Sequence, residues 1–366
     1  MHRKTPISFR PIASVLSGIL IIVIFLAASG YNVGSAFSAL WIGATGIQIA
    51  PISFQPYQLA QSLANATPLL FTGLSVAIGM KAGLFNIGAQ GQLTFGAFAT
   101  AVVGFSFNGM PAIIHICLAL GAGAIAGAIW GAIPALLKSA RGVHEVISTI
   151  MLNYVASDIT SYMVTHSLKD RGSQAPQTAA ISKNIHLHPF VPGSLLNAGI
   201  FIALSVVALS SWFISRTSWG FRIRAVGESR EAAETNGVPI TATLLLAMAL
   251  SGAAAGLAGA VMVLGQEHRF VKGMSGSYGF DGIAVALLGG NSGLGVTLSA
   301  LFFGGLASGA NNMQLLTNVP DSIATVVQAV VIFFAGVRSP IFHSKRGIKK
   351  MINTRTGQVI HESPPD

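Results

Sequence analysis

From residue 12 to 337 the chain is a series of apolar runs, most of them free of charge, parted by polar links. A helix rises about 1.5 Å per residue and the hydrocarbon core of a bilayer is about 30 Å thick, so roughly 20 apolar residues suffice to cross it. Runs of this kind fall at 12–29, 58–80, 88–107, 112–137, 145–165, 198–215, 240–265, 280–290, 294–312 and 320–337, with 280–290 short for a full crossing. Few folds are open to such a chain, because backbone polar groups facing lipid must be satisfied within the segment itself. The expected fold is all-α: a polytopic integral membrane protein with about ten transmembrane helices, one of them short or broken. Only 9% of the residues are charged, where a soluble domain carries about 25%. The stretch 35–50 is apolar too, but Gly, Ser and Pro at its edges read as a membrane-associated loop.

The formal net charge is +10. Nucleic-acid binding is one source of such a balance, but here the basic residues sit in short clusters between apolar runs, which is a topology signal. With the N-terminal segment 1–11 cytoplasmic and the spans alternating, the inner side holds Arg3, Lys4, Arg10, Lys81, Lys138, Arg141, Arg216, Arg222, Arg224, Arg230, Arg338, Lys345, Arg346, Lys349, Lys350 and Arg355. The outer loops hold only Lys169, Arg171, Lys183, Arg269 and Lys272. Both termini, including the tail 338–366, are then cytoplasmic, and 166–197 is the largest outer loop. The basic front before 12–29 and the run Ala27-Ala28-Ser29 have the look of a signal peptide. The apolar run exceeds the roughly 7–15 residues of such a segment, so a retained anchor is expected. Cys117 is the single cysteine, and His186 and His188 lack further Cys or His neighbours, so neither a disulfide nor a metal site is expected. There is no GxxxxGK[ST] stretch, no HExxH and no serine elbow, which excludes ATP binding through a P-loop and leaves no visible catalytic set.

Polar residues inside the spans mark where something other than lipid is met. In 145–165, Thr149, Asn153, Ser157 and Thr160 follow helical spacing, beside the rarer carboxylate Asp158. In 58–80, Gln61, Asn65, Thr72 and Ser75 form a second stripe interrupted by Pro68. Both stripes fit either a path lining or helix–helix hydrogen bonds. The run Phe85 to Gln92, with Asn86 and Gln90 among glycines, offers uncharged donors and acceptors beside an aromatic ring. It suits a neutral hydroxylated or heterocyclic solute, or a tight turn capped by Asn86. Phe280-Asp281 opens the short span, where Asp serves as a helix cap or a ligand contact. Two Gly-interrupted stretches, Lys81 to Gly88 and Gly276 to Gly282, each precede a span and hint at related halves around a central site. Gly123, Gly127 and Gly131, Gly252 and Gly256, and Gly305 and Gly309 have the spacing of close helix packing.

The loop 216–240 is built as a lever. Ser229 can cap a helix over 228–236, and Gly237 and Pro239 stop it. Ala232 and Ala233 give that helix a small face beside Glu231 and Glu234, and both its ends are tied to spans.

The runs Gly83 to Gln92, Val143 to Tyr154 and Ile283 to Gly289 resemble the permease subunits of bacterial ABC importers for nucleosides and simple sugars, the first two pointing to the nucleoside branch. The resemblance covers about 57 to 338. It implies a single permease domain over 1–366 in the bacterial inner membrane. It also implies a second permease, homologous or identical, two cytoplasmic ATP-binding subunits that bind ATP and Mg, and a periplasmic or lipoprotein solute-binding protein. The chain itself would bind no cofactor and do no covalent chemistry. The segment Gly220 to Pro239, with Arg222, Glu228, Glu231, Ala232, Ala233 and Gly237, would couple to the ATPases. Asn65, Phe85, Asn86, Gln90, Asn153, Phe280 and Asp281 are the candidates for the substrate path. Gln90 stands where Glu is frequent, His144 where Asn is common and Ser292-Gly293 where a Pro is common. A simple-sugar permease is the alternative, and an ion-coupled secondary transporter using Asp158 the distant one.

Overall fold

The computed structural model describes residues 10–49, 52–107 and 109–320, together with 322, 325, 326 and 329. Residues 1–9 of the expected N-terminal segment 1–11, the expected span 320–337 apart from those few positions, and the tail 338–366 lie outside the described residues. Within them the protein is mostly helical, with α1 (Arg10–Ala28), α2 (Val33–Thr45), α3 (Pro56–Lys81), α4 (Ala89–Ser106), α5 (Ala112–Arg141) and α6 (Glu145–Thr165) in the first half. The second half carries α7 (Gly199–Arg216), α8 (Ser218–Glu228), α9 (Arg230–Thr235), α10 (Ile240–Met262), α11 (Tyr278–Leu288) and α12 (Gly293–Thr317). Five of these are long and apolar enough to cross a membrane: α3, α5, α7, α10 with its continuation to Glu267, and α12.

Three local readings need correction. The stretch 35–50 is not a loop but largely α2. Asn32 caps it by accepting from the Ser35 amide at 3.1 Å, and Gly46, at φ 73°, closes it in the left-handed region. Its small residues are a packing face rather than turn signals: Gly43 lies against Gly309 and Asn312 of α12, and Asn312 Nδ2 donates to the Ala39 carbonyl at 2.7 Å. Secondly, the chain is not wholly helical, since β1 (Ile47–Gln48) and β2 (Ser53–Phe54) pair antiparallel between α2 and α3. Thirdly, the lever contains two helices. Ser229 does cap α9, and Gly237 follows it at φ 75°, but α8 precedes it, capped by the Thr217 hydroxyl on the Gly220 amide at 3.0 Å.

The core is assembled by glycine. Side chains added at Gly127 and Gly131 of α5 would strike the backbone of α10 at Gly252 and Met248, one on Gly123 would strike Thr100 of α4 and the Ala260 side chain of α10, and one on Gly96 of α4 would strike Gly256. Such contact of backbones lets van der Waals forces and weak C–H bonds hold helices that gain nothing from the hydrophobic effect in lipid. In the remaining pair, Gly309 meets the Leu40 carbonyl, whereas Gly305 has only ordinary contacts with Ala44.

Two helices are broken within the bundle. The chain leaves α3 at Lys81 and folds back, with the Leu84 amide on the Gly79 carbonyl at 3.0 Å, so that Asn86 reaches Ser75 and α4 begins there. Ser75 lies six residues inside the end of α3, about 9 Å deep. In the other half the segment after α10 descends from the opposite face, and α11 begins beside α3, where Gly282 abuts Thr72. From this depth α4 runs to the face away from Lys81 and α11 runs to the Lys81 face, where the turn after it meets Lys81 in a common cavity. On the face away from Lys81, residues 178–187 are laid over the end of α10 by amides of Thr178, Ile181 and Leu187 on carbonyls of Phe270, His268 and Leu264. There the His186 and His268 rings stack 3.8 Å apart.

Gly127→Ala is expected to force α5 from α10 and lower stability by about 1–3 kcal/mol, seen as a reduced Tm of the detergent-purified protein. Gly121→Ala, with open space around it, is expected to be neutral or to gain up to about 1 kcal/mol. Burial, then the neighbouring His186, holds the His268 imidazole below the ordinary histidine range. The unfolded chain therefore binds the proton more readily, so the contribution is complete above about pH 6.5 and is lost as pH falls through and below it. Protection at Ile181 and Leu187, measured as exchange corrected for the slowing of free amides in acid, should fall as pH drops below about 6.5, and protection that does not change with pH would sink this account.

Candidate functional site

The two broken helices meet end to end. The Gln90 side chain, in the first turn of α4, accepts from the Gly279 amide at 2.8 Å and donates to Ser275 Oγ at 2.9 Å and the Gly276 carbonyl at 2.8 Å. Each helix start carries roughly half a positive charge, and two facing one another repel. Electron-rich atoms offset this here: Gln90 Oε1 on Gly279, Asn86 Oδ1 on the Gly88 amide at 3.0 Å, and Asn153 Oδ1 on the Gly91 amide at 2.8 Å. Asp281 supplies a carboxylate in the first turn of α11, held by the Ser277 hydroxyl at 2.7 Å.

Beneath this joint lies a saturated amide pair. Asn86 is 0% exposed. Its Nδ2 donates to Gln92 Oε1 at 2.9 Å and Ser251 Oγ at 2.7 Å, and its Oδ1 accepts from Gln92 Nε2 at 3.1 Å. Ser251 in turn donates to the Ser75 carbonyl at 2.6 Å, which ties α3, α4 and α10 together. Asn153 clamps the same turn from α6, with Nδ2 on the Ile87 carbonyl at 2.9 Å.

The structure thus brings Asn86, Gln90 and Asn153 into one hydrogen-bonded knot joined to the start of α11. In this conformation Asn86 has no polar atom left for a solute. Phe85 is half-buried next to the knot and Phe280 is 46% exposed beside Gly279. Asn65 stands apart, about two turns along α3 from Thr72 on the same face, half-buried and without a hydrogen bond among the described residues. The stripe on α6 divides: Thr149, Asn153 and Thr160 face inward, whereas Ser157 and Asp158 are exposed. The two threonine hydroxyls bond back to their own helix at Glu145 and Ala156, which is a helical packing role.

In the lever, Glu228, Glu231, Ala232 and Gly237 are exposed, and Arg222 lies over the Trp219 ring at 4.7 Å. Ala233 is instead buried at 4%, in a cluster with Ile223, Val226, Leu84 and Met248. Gly227 packs directly on the Lys81 carbonyl, where any side chain would collide. Sequence reading held Gln92 within the polar run Phe85 to Gln92, but gave no site role to Ser251, Ser275 or Gly227. A serine inside the apolar run 240–265 was the available signal for Ser251.

Residues 58–336 match the family of permease components of the branched-chain amino acid transport system. The chain belongs to that family. It is 39% identical to the guanosine ABC transporter permease NupP of Bacillus subtilis over 88% of this chain and 91% of that one. The nucleoside ABC transporter permease NupB of Lactococcus lactis is 36% identical over 92% of this chain and 93% of its own length. The glucose ABC transporter permease TsgB13 of Haloferax volcanii is 34% identical over 80% of each. Fainter likeness extends to a second permease in two of these organisms: NupQ of the Bacillus, 28% identical over 66% of this chain and 78% of its own, and NupC of the Lactococcus, 26% over 67% and 79%. The chain is accordingly a multi-pass membrane permease subunit and not itself an enzyme.

Asn86→Ala leaves the Gln92 amide buried without its partner, and the expected loss is about 1–3 kcal/mol, read as a fall in Tm. Asn153→Ala, which frees the Gly91 amide and the Ile87 carbonyl, is expected to cost a similar amount, whereas Phe85→Leu should change Tm little. Equal melting for all three and the unaltered protein would remove the knot as a structural element.

Proposed function

We propose that this chain is the membrane path of an ATP-driven importer of nucleosides, working by alternating access. What carries the reading is its near full-length likeness to guanosine and nucleoside permeases. The chain would lie in the bacterial inner membrane with both termini cytoplasmic and about ten crossings, as the excess of basic residues on one side supports. Two ATP-binding subunits, holding ATP and Mg, would grip the exposed Glu228, Glu231 and Ala232. Movement of α8 and α9 then reaches Gly227 and the turn Lys81 to Gly83 pressed against it. That turn leads through Leu84 into the Asn86–Gln90 knot, so a push at the lever bears on the ends of α4 and α11. Phe85, Phe280, Asp281 and Asn65 would border the path, the rings offering faces on which a base can stack.

A second permease is supported by the paired relatives NupP with NupQ and NupB with NupC. We place it against the outer face of α6, where Tyr154, Ser157, Asp158 and Tyr162 are exposed. A carboxylate turned to lipid is costly, and a protein partner relieves that cost. The loop 166–197 would receive the solute-binding protein. The second reading, a simple-sugar importer, rests on the glucose permease relative.

The test is uptake of labelled adenosine, guanosine, uridine and ribose by cells with and without this gene, its partner subunits present. Loss of nucleoside uptake alone, dependent on ATP, is expected. Loss of ribose uptake alone would assign the sugar reading, and uptake that outlasts ATP but collapses with an uncoupler would overturn the importer. Glu231→Lys should abolish uptake while leaving the permease in the membrane.

A further inference from the structure

A cavity of about 650 Å³ opens between α3, α7, α8 and α12. Its floor is apolar, from Leu74 and Ile78 of α3, Val207 of α7 and Val296 of α12. Its rim includes Leu204 and Leu294, 38% and 83% exposed, on faces that spans turn to acyl chains. At its other end stand Lys81 and Arg224. Among the described residues neither takes part in an ion pair or side-chain hydrogen bond. Asn291 also lines this end, and its Oδ1 is buried without a partner. A second, apolar compartment of about 280 Å³ lies on the neighbouring side of α7 and shares Ile78, Ser210 and Ile214 with the first.

We propose that this cavity holds an anionic phospholipid, of the phosphatidylglycerol type. Two cations without a counter-ion among the described residues can share the two free oxygens of one phosphodiester, and basic pockets between spans near one membrane face bind anionic headgroups. The two apolar compartments flanking α7 receive the two acyl chains. A nucleoside carries no charge to answer Lys81 and Arg224, and a free inorganic anion gives the apolar floor nothing to bury. The site does not depend on which solute is carried. Since Lys81 ends α3 where Gly227 of α8 presses, the lipid would brace the turn that the lever moves.

The experiment is native mass spectrometry of the full-length protein in detergent, titrated with dioleoyl-phosphatidylglycerol or dioleoyl-phosphatidylcholine. One phosphatidylglycerol is expected to be retained, roughly tenfold or more tighter than phosphatidylcholine. The double variant Lys81→Gln, Arg224→Gln should lose that preference, and Arg141→Gln, an exposed cation outside the cavity, should keep it. Ala208→Trp, which fills the wall without touching either cation, should also release the lipid. Equal retention of the two lipids by the unaltered protein would overturn the site without recourse to any variant. So would equal loss in Arg141→Gln, or displacement by an excess of inorganic phosphate alone.

Discussion

The architecture depends on the contact between the starts of α4 and α11. A helix broken inside a bilayer exposes amides that lipid cannot satisfy, and two such starts face one another with like partial charge. Gln90 resolves both problems with one neutral side chain that accepts from Gly279 and donates to Ser275 and the Gly276 carbonyl. An amide suits the position because a carboxylate could accept but not donate. Around this joint the helices must come close enough for short side chains to reach, and the glycine contacts of α5 and α4 with α10 allow that approach.

From the lever to the joint the contacts are continuous and short. Ala233 anchors α9 beneath α8, Ile223 and Val226 hold α8 on Leu84, and Gly227 touches the end of α3. Two residues beyond Leu84 comes Asn86, whose bonds leave little room for independent movement. Packed interiors respond to displacement by switching between arrangements rather than by gradual strain. The exposed face of α9 and the buried face that carries Ala233 thus serve different ends on a helix of six residues.

Much of this was legible in the chain. Apolar length located the long helices, and local capping chemistry located α9, from Ser229 and Gly237. Glycine spacing marked α5 and α10 as helices that pack closely, and the geometry shows that they do so against one another. What escaped notice did so because a residue type has two meanings. Gly and Ser at the edges of 35–50 signal a loop in water, but between membrane helices they are packing residues, as Gly43 is. Asn86 signalled a pocket or a cap with equal force, and only its distant partners Gln92 and Ser251 decide how its amide is used. Helical spacing grouped Ser157 with Thr149 and Asn153, yet its offset of about 80° from Thr149 was enough to turn it outward.

The brevity of α11 bears on how the protein is made. At 11 residues it covers about 16 Å, half of the hydrocarbon core. Such a segment cannot be handed to the bilayer alone during synthesis, since its first amides would enter hydrocarbon without partners. It must wait for α3 to offer a wall and for Gln90 of α4 to offer an acceptor. The first half of the chain acts as the template on which the second is threaded, and the order of residues along the chain becomes an order of assembly.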